Sequence, residues 1–246
     1  MRDRVDAKAV WAVDRRSGSS LPWRAALDAL RRHLPAVKWP FPRVSFVLSS
    51  HFCHFALLKN SEGLTGDDEW VAYARHRMKA TFGETIADWS LVLSYSGEQG
   101  GYLACAADGA LLEAIRALCK ERHLQLTSIR PYLATAFNRC RSALETRTAW
   151  FVVHEEGRFV VSLFKNGEWE SIASRRMLRD WKAELFDVLD REQQLLEVEG
   201  AGCKDVLLYA PELPHVGDFK GGRYRVEQVR AEALDVLGDG EYAMAA

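Results

Sequence analysis

The chain has 246 residues, 48% of them hydrophobic and 27% charged, and its net charge is −1. That is enough apolar material to bury a sizeable core, which excludes a disordered linker. The five cysteines are odd in number, widely spaced and include no C-x-x-C pair, which argues against a disulfide framework or a cysteine-only zinc site.

No apolar run approaches the ~20 residues that cross a bilayer. Met1 to Lys8 lack the apolar stretch of a signal peptide, so a cytoplasmic location is expected. Charge is uneven: residues 1–45 hold ten Lys/Arg against four Asp/Glu, or +6, which leaves −7 for the remainder. Such a section suits an acidic partner, an anionic surface or the chain's own acidic half, and a solvated surface is its plainest reading. No basic run interleaved with aromatics appears, so nucleic acid is not an expected partner.

Residues 9–13 (Ala-Val-Trp-Ala-Val) predict a short opening strand, followed by a loop over Asp14–Ser20. A helix is expected from Pro22, a residue suited to a first helical position, with Trp23, Ala26, Leu27, Leu30 and Leu34 on its buried face. Pro35, Pro40 and Pro42 end it. Val44–Ser49 is rich in β-forming residues and predicts a strand, and a shorter one follows at Phe55–Leu58. Thr65–Glu69 places acids at the start of a helix with the stripe Val71, Ala74, Met78 and Phe82, which Gly83 stops.

Trp89–Ser94 and Tyr102–Ala107 read as strands joined by the turn Ser96–Gly101. A helix from Asp108 buries Leu112, Ile115 and Cys119. Leu124–Ile129 is a strand, and Pro131 opens a helix with Leu133, Phe137, Cys140 and Leu144 on one side. Trp150–Val153, Phe159–Phe164 and Trp169–Ala173 predict three adjacent strands, and Asn166-Gly167 is a tight-hairpin signal. A long helix over Arg176–Leu196 turns Met177, Trp181, Leu185, Val188 and Leu195 inward. Val206–Tyr209 is a strand, and the carboxyl end reads as loose. This intermixing argues for α/β layers, and no fixed-period repeat appears.

Motifs for chemistry are scarce. His51-Phe-Cys53-His54 packs three possible metal ligands into four residues, but strand alternation sends His51 and Cys53 to one face and His54 to the other; an ordinary strand end is expected. There is no Gly-x-Ser-x-Gly elbow, and no serine or cysteine has an evident histidine and acid partner. Neither Gly-x-x-x-x-Gly-Lys-Ser nor Gly-x-Gly-x-x-Gly occurs. The acid pairs Asp67-Asp68 and Glu155-Glu156 read as helix capping and as a solvated turn. Trp23, Trp39 and Trp70 stand beside basic residues, a mix that interfaces favour, although core packing accounts for each equally well.

Several phrases carry a family likeness. They are Phe46-Val-Leu-Ser49, Glu69-Trp-Val-Ala-Tyr-Ala-Arg75, Phe82-Gly83 followed by Asp88-Trp89, Tyr102-Leu-Ala104, Ile129-Arg-Pro131 with Asn138, and the hairpin from Trp150 to Trp169. Over roughly residues 20 to 210 the chain resembles the actin-like (ribonuclease H-like) ATPase superfold, reduced in size. More narrowly, it is similar to the type IV pilus assembly protein PilM and the cytoplasmic domain of the type II secretion L protein. The resemblance implies an α/β fold with mixed sheets, its two lobes formed by residues 1–146 and 147–246 around a cleft.

In that family ATP sits between two hairpin turns of the Asp-x-Gly-Thr kind. Their backbone N–H groups meet the phosphates, and the acid positions Mg²⁺. Carried onto this chain, the second turn falls at His154-Glu155-Glu156-Gly157-Arg158. His154 stands where the acid is expected, and carboxylates that repel triphosphate replace small residues. Asp14-Arg-Arg-Ser-Gly18 comes nearest to the first turn, and a loop before a helix explains it more simply. The implied protein is a non-catalytic cytoplasmic scaffold of a type IV pilus or type II secretion-like assembly, with degenerate turns and no catalytic residue, cofactor or metal. Its partners would be short segments of inner-membrane assembly proteins or a motor ATPase, which would hold it peripherally at the inner membrane. The alternatives are an actin-like ATPase that binds Mg-ATP through altered turns, and a small-molecule-binding regulator that uses the same cleft.

Overall fold

The computed structural model describes residues 11, 21–34, 42–59, 63–64, 66–96, 101–196, 202–214 and 217–229. The expected opening strand, apart from Trp11, and the loop after it lie outside these residues, as does Trp39. Helix α1 (Arg24–His33) turns Leu27 and Ala29 inward and ends in Arg31, Arg32 and His33, a basic last turn that suits the helix dipole. The Trp11 ring stacks on His33 at 4.7 Å.

Strands β1 (Arg43–Leu48) and β2 (Cys53–Lys59) follow. Helix α2 (Asp67–Phe82) starts where the Glu69 carboxylate accepts from the Gly66 N–H at 3.1 Å, and it stops at Gly83, where φ is 86°. The acid pair Asp67-Asp68 sits in its first turn, but the capping contact belongs to Glu69. Its inward stripe is Trp70, Ala74 and Met78, spaced four apart, whereas the expected Val71 is exposed. Strands β3 (Ser90–Tyr95) and β4 (Gly101–Ala107) lead to helix α3 (Gly109–Glu121), whose Asp108 cap accepts from the Ala110 N–H at 2.9 Å. Strand β5 (Gln125–Pro131) runs directly into helix α4 (Tyr132–Leu144), which buries Leu133, Phe137, Cys140 and Leu144 as its spacing predicts.

The later elements are β6 (Ala149–Glu155), β7 (Arg158–Lys165), β8 (Glu168–Arg176), α5 (Trp181–Leu195), β9 (Asp205–Tyr209), β10 (Phe219–Gly221) and β11 (Tyr224–Val229). Helix α5 begins five residues later than its apolar spacing suggests. β8 runs on to Arg176, and Asp180 caps the helix by accepting from Lys182 and Ala183. The expected inward Leu195 is 65% exposed. Position 192 on that stripe is a glutamate paired with Arg175, so the apolar stripe ends one turn early and Leu189 takes the buried place. The hairpin β10–β11 falls in the carboxyl section that reads as loose. Its signal is the alternation of buried Tyr224, Val226 and Gln228 with exposed Arg225 and Glu227.

These strands form three sheets. β1 and β5 pair in parallel; β2, β4 and β3 form an antiparallel sheet; and β10-β11-β9-β6-β7-β8 form a six-stranded mixed sheet in which β6, β9 and β11 are parallel. The six-stranded sheet is buried on both faces. Phe151, Val153, Val160, Phe164 and Leu207 enter a core shared with α3, α4, β1 and β5. Trp150, Val152, Phe159, Val161 and Leu208 pack with α5. The three-stranded sheet gives Phe55, Leu103 and Cys105 to the shared core, while Leu58, Ala104 and Ala106 lie under α2. Residues on both sides of position 146 therefore contribute to one core. β2 and β8 lie against each other, with Lys59 Nζ 2.6 Å from Glu170 Oε1.

The β7–β8 turn is held unusually close to the end of α4. Gly167 adopts φ +84°, its N–H donates to the Arg147 carbonyl at 3.1 Å, and a β-carbon there would collide with the Glu145 carbonyl oxygen. Gly167→Ala is expected to destabilise the fold by about 2 kcal/mol or more, measured by urea unfolding.

Candidate functional site

Two turns meet at the point where β1 ends beside the end of β6. The first is Ser49-Ser50-His51-Phe52, closed by the Phe52 N–H donating to the Ser49 carbonyl at 2.9 Å. The second is the β6–β7 turn, with Gly157 at φ +78°. Ser50 is fully buried, and its backbone N–H donates to Glu155 Oε1 at 2.8 Å. His51 Nε2 lies 3.0 Å from the Glu156 carbonyl oxygen; a carbonyl only accepts, so Nε2 carries the hydrogen. A β-carbon at Gly157 would come within 3.9 Å of His51 Cε1. The β1–β2 connection and the β6–β7 hairpin turn are thus joined directly.

The residues singled out in the second turn separate by strand alternation. His154 lies on the α5 face, 3% exposed, with Nδ1 against a Glu212 carboxylate oxygen and its ring edge-on to Phe159 and Trp181 at 5.5 and 6.1 Å. It therefore points away from the first turn, and Glu155 is the residue that reaches across. Glu155 is half-buried and bonded, so the reading of Glu155-Glu156 as a solvated turn holds only for the exposed Glu156. Arg158, opposite Glu155 in the β6–β7 register, donates to Ser174 Oγ at 2.8 Å. Burial draws its guanidinium below the ordinary pKa; the Glu155 charge opposes this and Arg176 adds to it.

Sequence reasoning sought the first turn at Asp14–Gly18, outside the described residues, and did not single out Ser49–Phe52, the segment that meets the β6–β7 turn. Ser-Ser-His-Phe contains neither the acid nor the glycine of the expected motif. The available signal was the short gap between the strands at Val44–Ser49 and Phe55–Leu58. The three possible metal ligands nearby go to different places. His51 reaches Glu156, Cys53 enters the shared core, and His54 stacks on Phe82 and Trp89 at 4.3 and 4.9 Å. Burial, then the Arg158 charge, lowers the His54 pKa. Among the described residues no three His, Cys, Asp or Glu side chains gather to hold a metal ion.

Behind the joined turns, Tyr132 at the start of α4 faces Tyr209 at the end of β9, with ring centroids 5.9 Å apart. Desolvation pushes the Tyr132 phenol far above its ordinary pKa of 10.0; the charges of Glu212, Tyr209 and Glu155 add to this, and Arg139 opposes it. Tyr209 is raised as well, first by desolvation. Phenols and carboxylates thus crowd the carboxyl ends of β6 and β9.

A concavity of about 380 Å³ lies between the end of β3, the last turn of α4 and the β7–β8 turn. Phe137, Leu144 and Trp169 give it apolar lining, Arg141 and Tyr95 are also part of its wall, and Tyr95 is 54% exposed. Among the described residues β3 is an edge strand of its sheet, paired with β4. Trp23 and Trp70 are both buried; Trp23 Nε1 donates to Asp108 Oδ2 at 2.6 Å, and Trp70 packs from the inner face of α2 against Leu58, Ala104 and Ala106.

No family model matches the chain, and no curated protein matches it. Solved structures do. A PilM–PilN type IV pilus biogenesis complex superposes with TM-score 0.55 at 11% identity, over 75% of this chain and 67% of that one. The cytoplasmic domain of EpsL, an inner-membrane component of the type II secretion system of Vibrio cholerae, gives TM-score 0.47 at 12% identity, covering 87% and 73%. A Bacteroides thetaiotaomicron protein of unknown function with an actin-like ATPase fold gives 0.48 at 10% identity, covering 76% and 66%. The chain shares the mixed α/β fold of the PilM–PilN structure. Among the described residues no helix is long and apolar enough to cross a membrane.

In an alkaline titration followed by phenolate absorbance, one component is expected to resist ionisation beyond the ordinary tyrosine range and to vanish in Tyr132→Phe. Glu212→Gln, by removing a negative charge, should lower the pKa values of both Tyr132 and Tyr209. Above about pH 10 the unfolded chain releases phenolic protons that the folded chain keeps, so stability falls as pH rises, and Tyr132→Phe should flatten that fall.

Proposed function

We propose that this chain is a non-catalytic docking component of an assembly of the type IV pilus or type II secretion kind. Its partners hold it at the cytoplasmic face of the inner membrane, and residues 1–146 and 147–246 form its two lobes. The observation that carries this reading is the direct bridge between the Ser49–Phe52 and β6–β7 turns. A triphosphate between such turns needs free backbone donors and a gap. Here Glu155 takes the Ser50 N–H, and His51 closes onto Glu156. A carboxylate about 4 Å from a phosphate charge repels it by about 1 kcal/mol in water and several times more when half-buried. His154, where the family's acid stands, is committed to Glu212 on the other face. The described residues do not fit Mg-ATP.

Docking is supported by the groove beside β3. Among the described residues β3 lies at the edge of its sheet, a place where an extended segment adds as a further strand, and an apolar pocket lined by Phe137 and Trp169 adjoins it. The similar PilM–PilN structure is itself a complex between two proteins.

Two measurements test the reading. Calorimetric titration with Mg-ATP should give no heat of binding, and micromolar affinity would overturn the degenerate-turn argument and reopen the ATPase alternative. Tagged wild-type protein should recover an assembly protein from native cells. Tyr95→Lys, at an exposed site, should reduce that recovery about tenfold with an unchanged Tm. Equal recovery by the variant places docking elsewhere.

A further inference from the structure

We infer that the β1–β2 turn is an anion cradle that this chain fills with its own Glu155 carboxylate, and that a small oxyanion takes the place once the carboxylate is removed. The inference deepens the reading of the joined turns given above and needs neither nucleotide nor partner for its test.

The residues at the junction supply what an oxyanion requires. The Ser50 N–H is fully buried and already bonded to a charged oxygen at 2.8 Å, the geometry of a charge-assisted hydrogen bond. The hydroxyl of the same residue is buried without a hydrogen-bond partner among the described residues, and so is Nε of Arg158. Arg158 stands opposite Glu155 in the strand register, and the two charges act on one another. The His51–Glu156 contact ties the two turns together independently of the Glu155 side chain. Shortening that side chain therefore leaves a donor-lined space of carboxylate size beside a cation. Removing the carboxylate leaves the buried Ser50 N–H without its acceptor, beside an unpartnered hydroxyl and the unpartnered Nε of Arg158, and an anion from solution satisfies that donor.

The test is thermal unfolding of the wild type, Glu155→Ala and Glu155→Gln at matched ionic strength in chloride, formate or inorganic phosphate. Wild-type Tm should be the same in all three. Glu155→Ala should lose about 3–8 °C in chloride and regain most of it saturably in formate or phosphate. Response to formate alone sizes the cradle for a planar carboxylate, and response to phosphate alone sizes it for a tetrahedral ion; either supports the inference. Glu155→Gln, which keeps an acceptor oxygen in place, should lose less and gain nothing from oxyanions. If Glu155→Ala fails to fold in chloride, its refolding yield in formate or phosphate becomes the readout, and recovery supports the cradle. An unchanged Tm in Glu155→Ala, a loss that neither oxyanion restores, or an equal gain by the wild type overturns it. Such a failure leaves the docking reading standing, whereas Mg-ATP binding by the wild type overturns that reading alone.

Discussion

Strand β6 has no side that meets water: Ala149, Trp150, Phe151, Val152 and Val153 are each 1% exposed or less. A strand in that position needs a neighbour on each edge for its backbone groups and a packed layer on each face for its side chains. β7 and β9 supply the edges, α4 and α5 the faces. The local chemistry follows from the same constraint. His154 continues the α5 face and stays buried, so its ring takes Glu212 as a partner. Glu155 continues the opposite face and emerges where β1 ends, beside the one backbone donor, Ser50, that it satisfies.

The elements most legible in the sequence are those whose side-chain period coincides with burial. Leu133, Phe137, Cys140 and Leu144 on α4 read correctly because every one of them enters the core. Legibility fails where a charged residue takes an inward position. Glu192 interrupts the α5 stripe through its pair with Arg175, and Leu195 beyond it turns out to solvent. In β11 the exposed face is charged while the buried face holds Tyr224, Val226 and Gln228, so the strand resembles a polar tail until its partner β9 is placed beside it.

The site is legible only by halves. The β6–β7 turn announces itself through flanking strands and Gly157, but the role of each residue depends on which face its side chain takes, and an error of one position exchanges His154 for Glu155. The opposing turn carries no recognisable chemistry: Ser50 contributes a backbone N–H, which any residue but proline supplies. Its importance comes from a contact spanning 105 positions, which no local spacing encodes.

The parallel pairing of β6 with β9 has a consequence for how the protein is made. A ribosome delivers β6 long before Asp205–Tyr209, and the intervening hairpins and α5 must be synthesised before that edge can close. Until then the most apolar strand of the chain presents an unpaired border, the kind of surface on which nascent chains aggregate. Completion of the sheet is therefore a late, non-local event in biosynthesis.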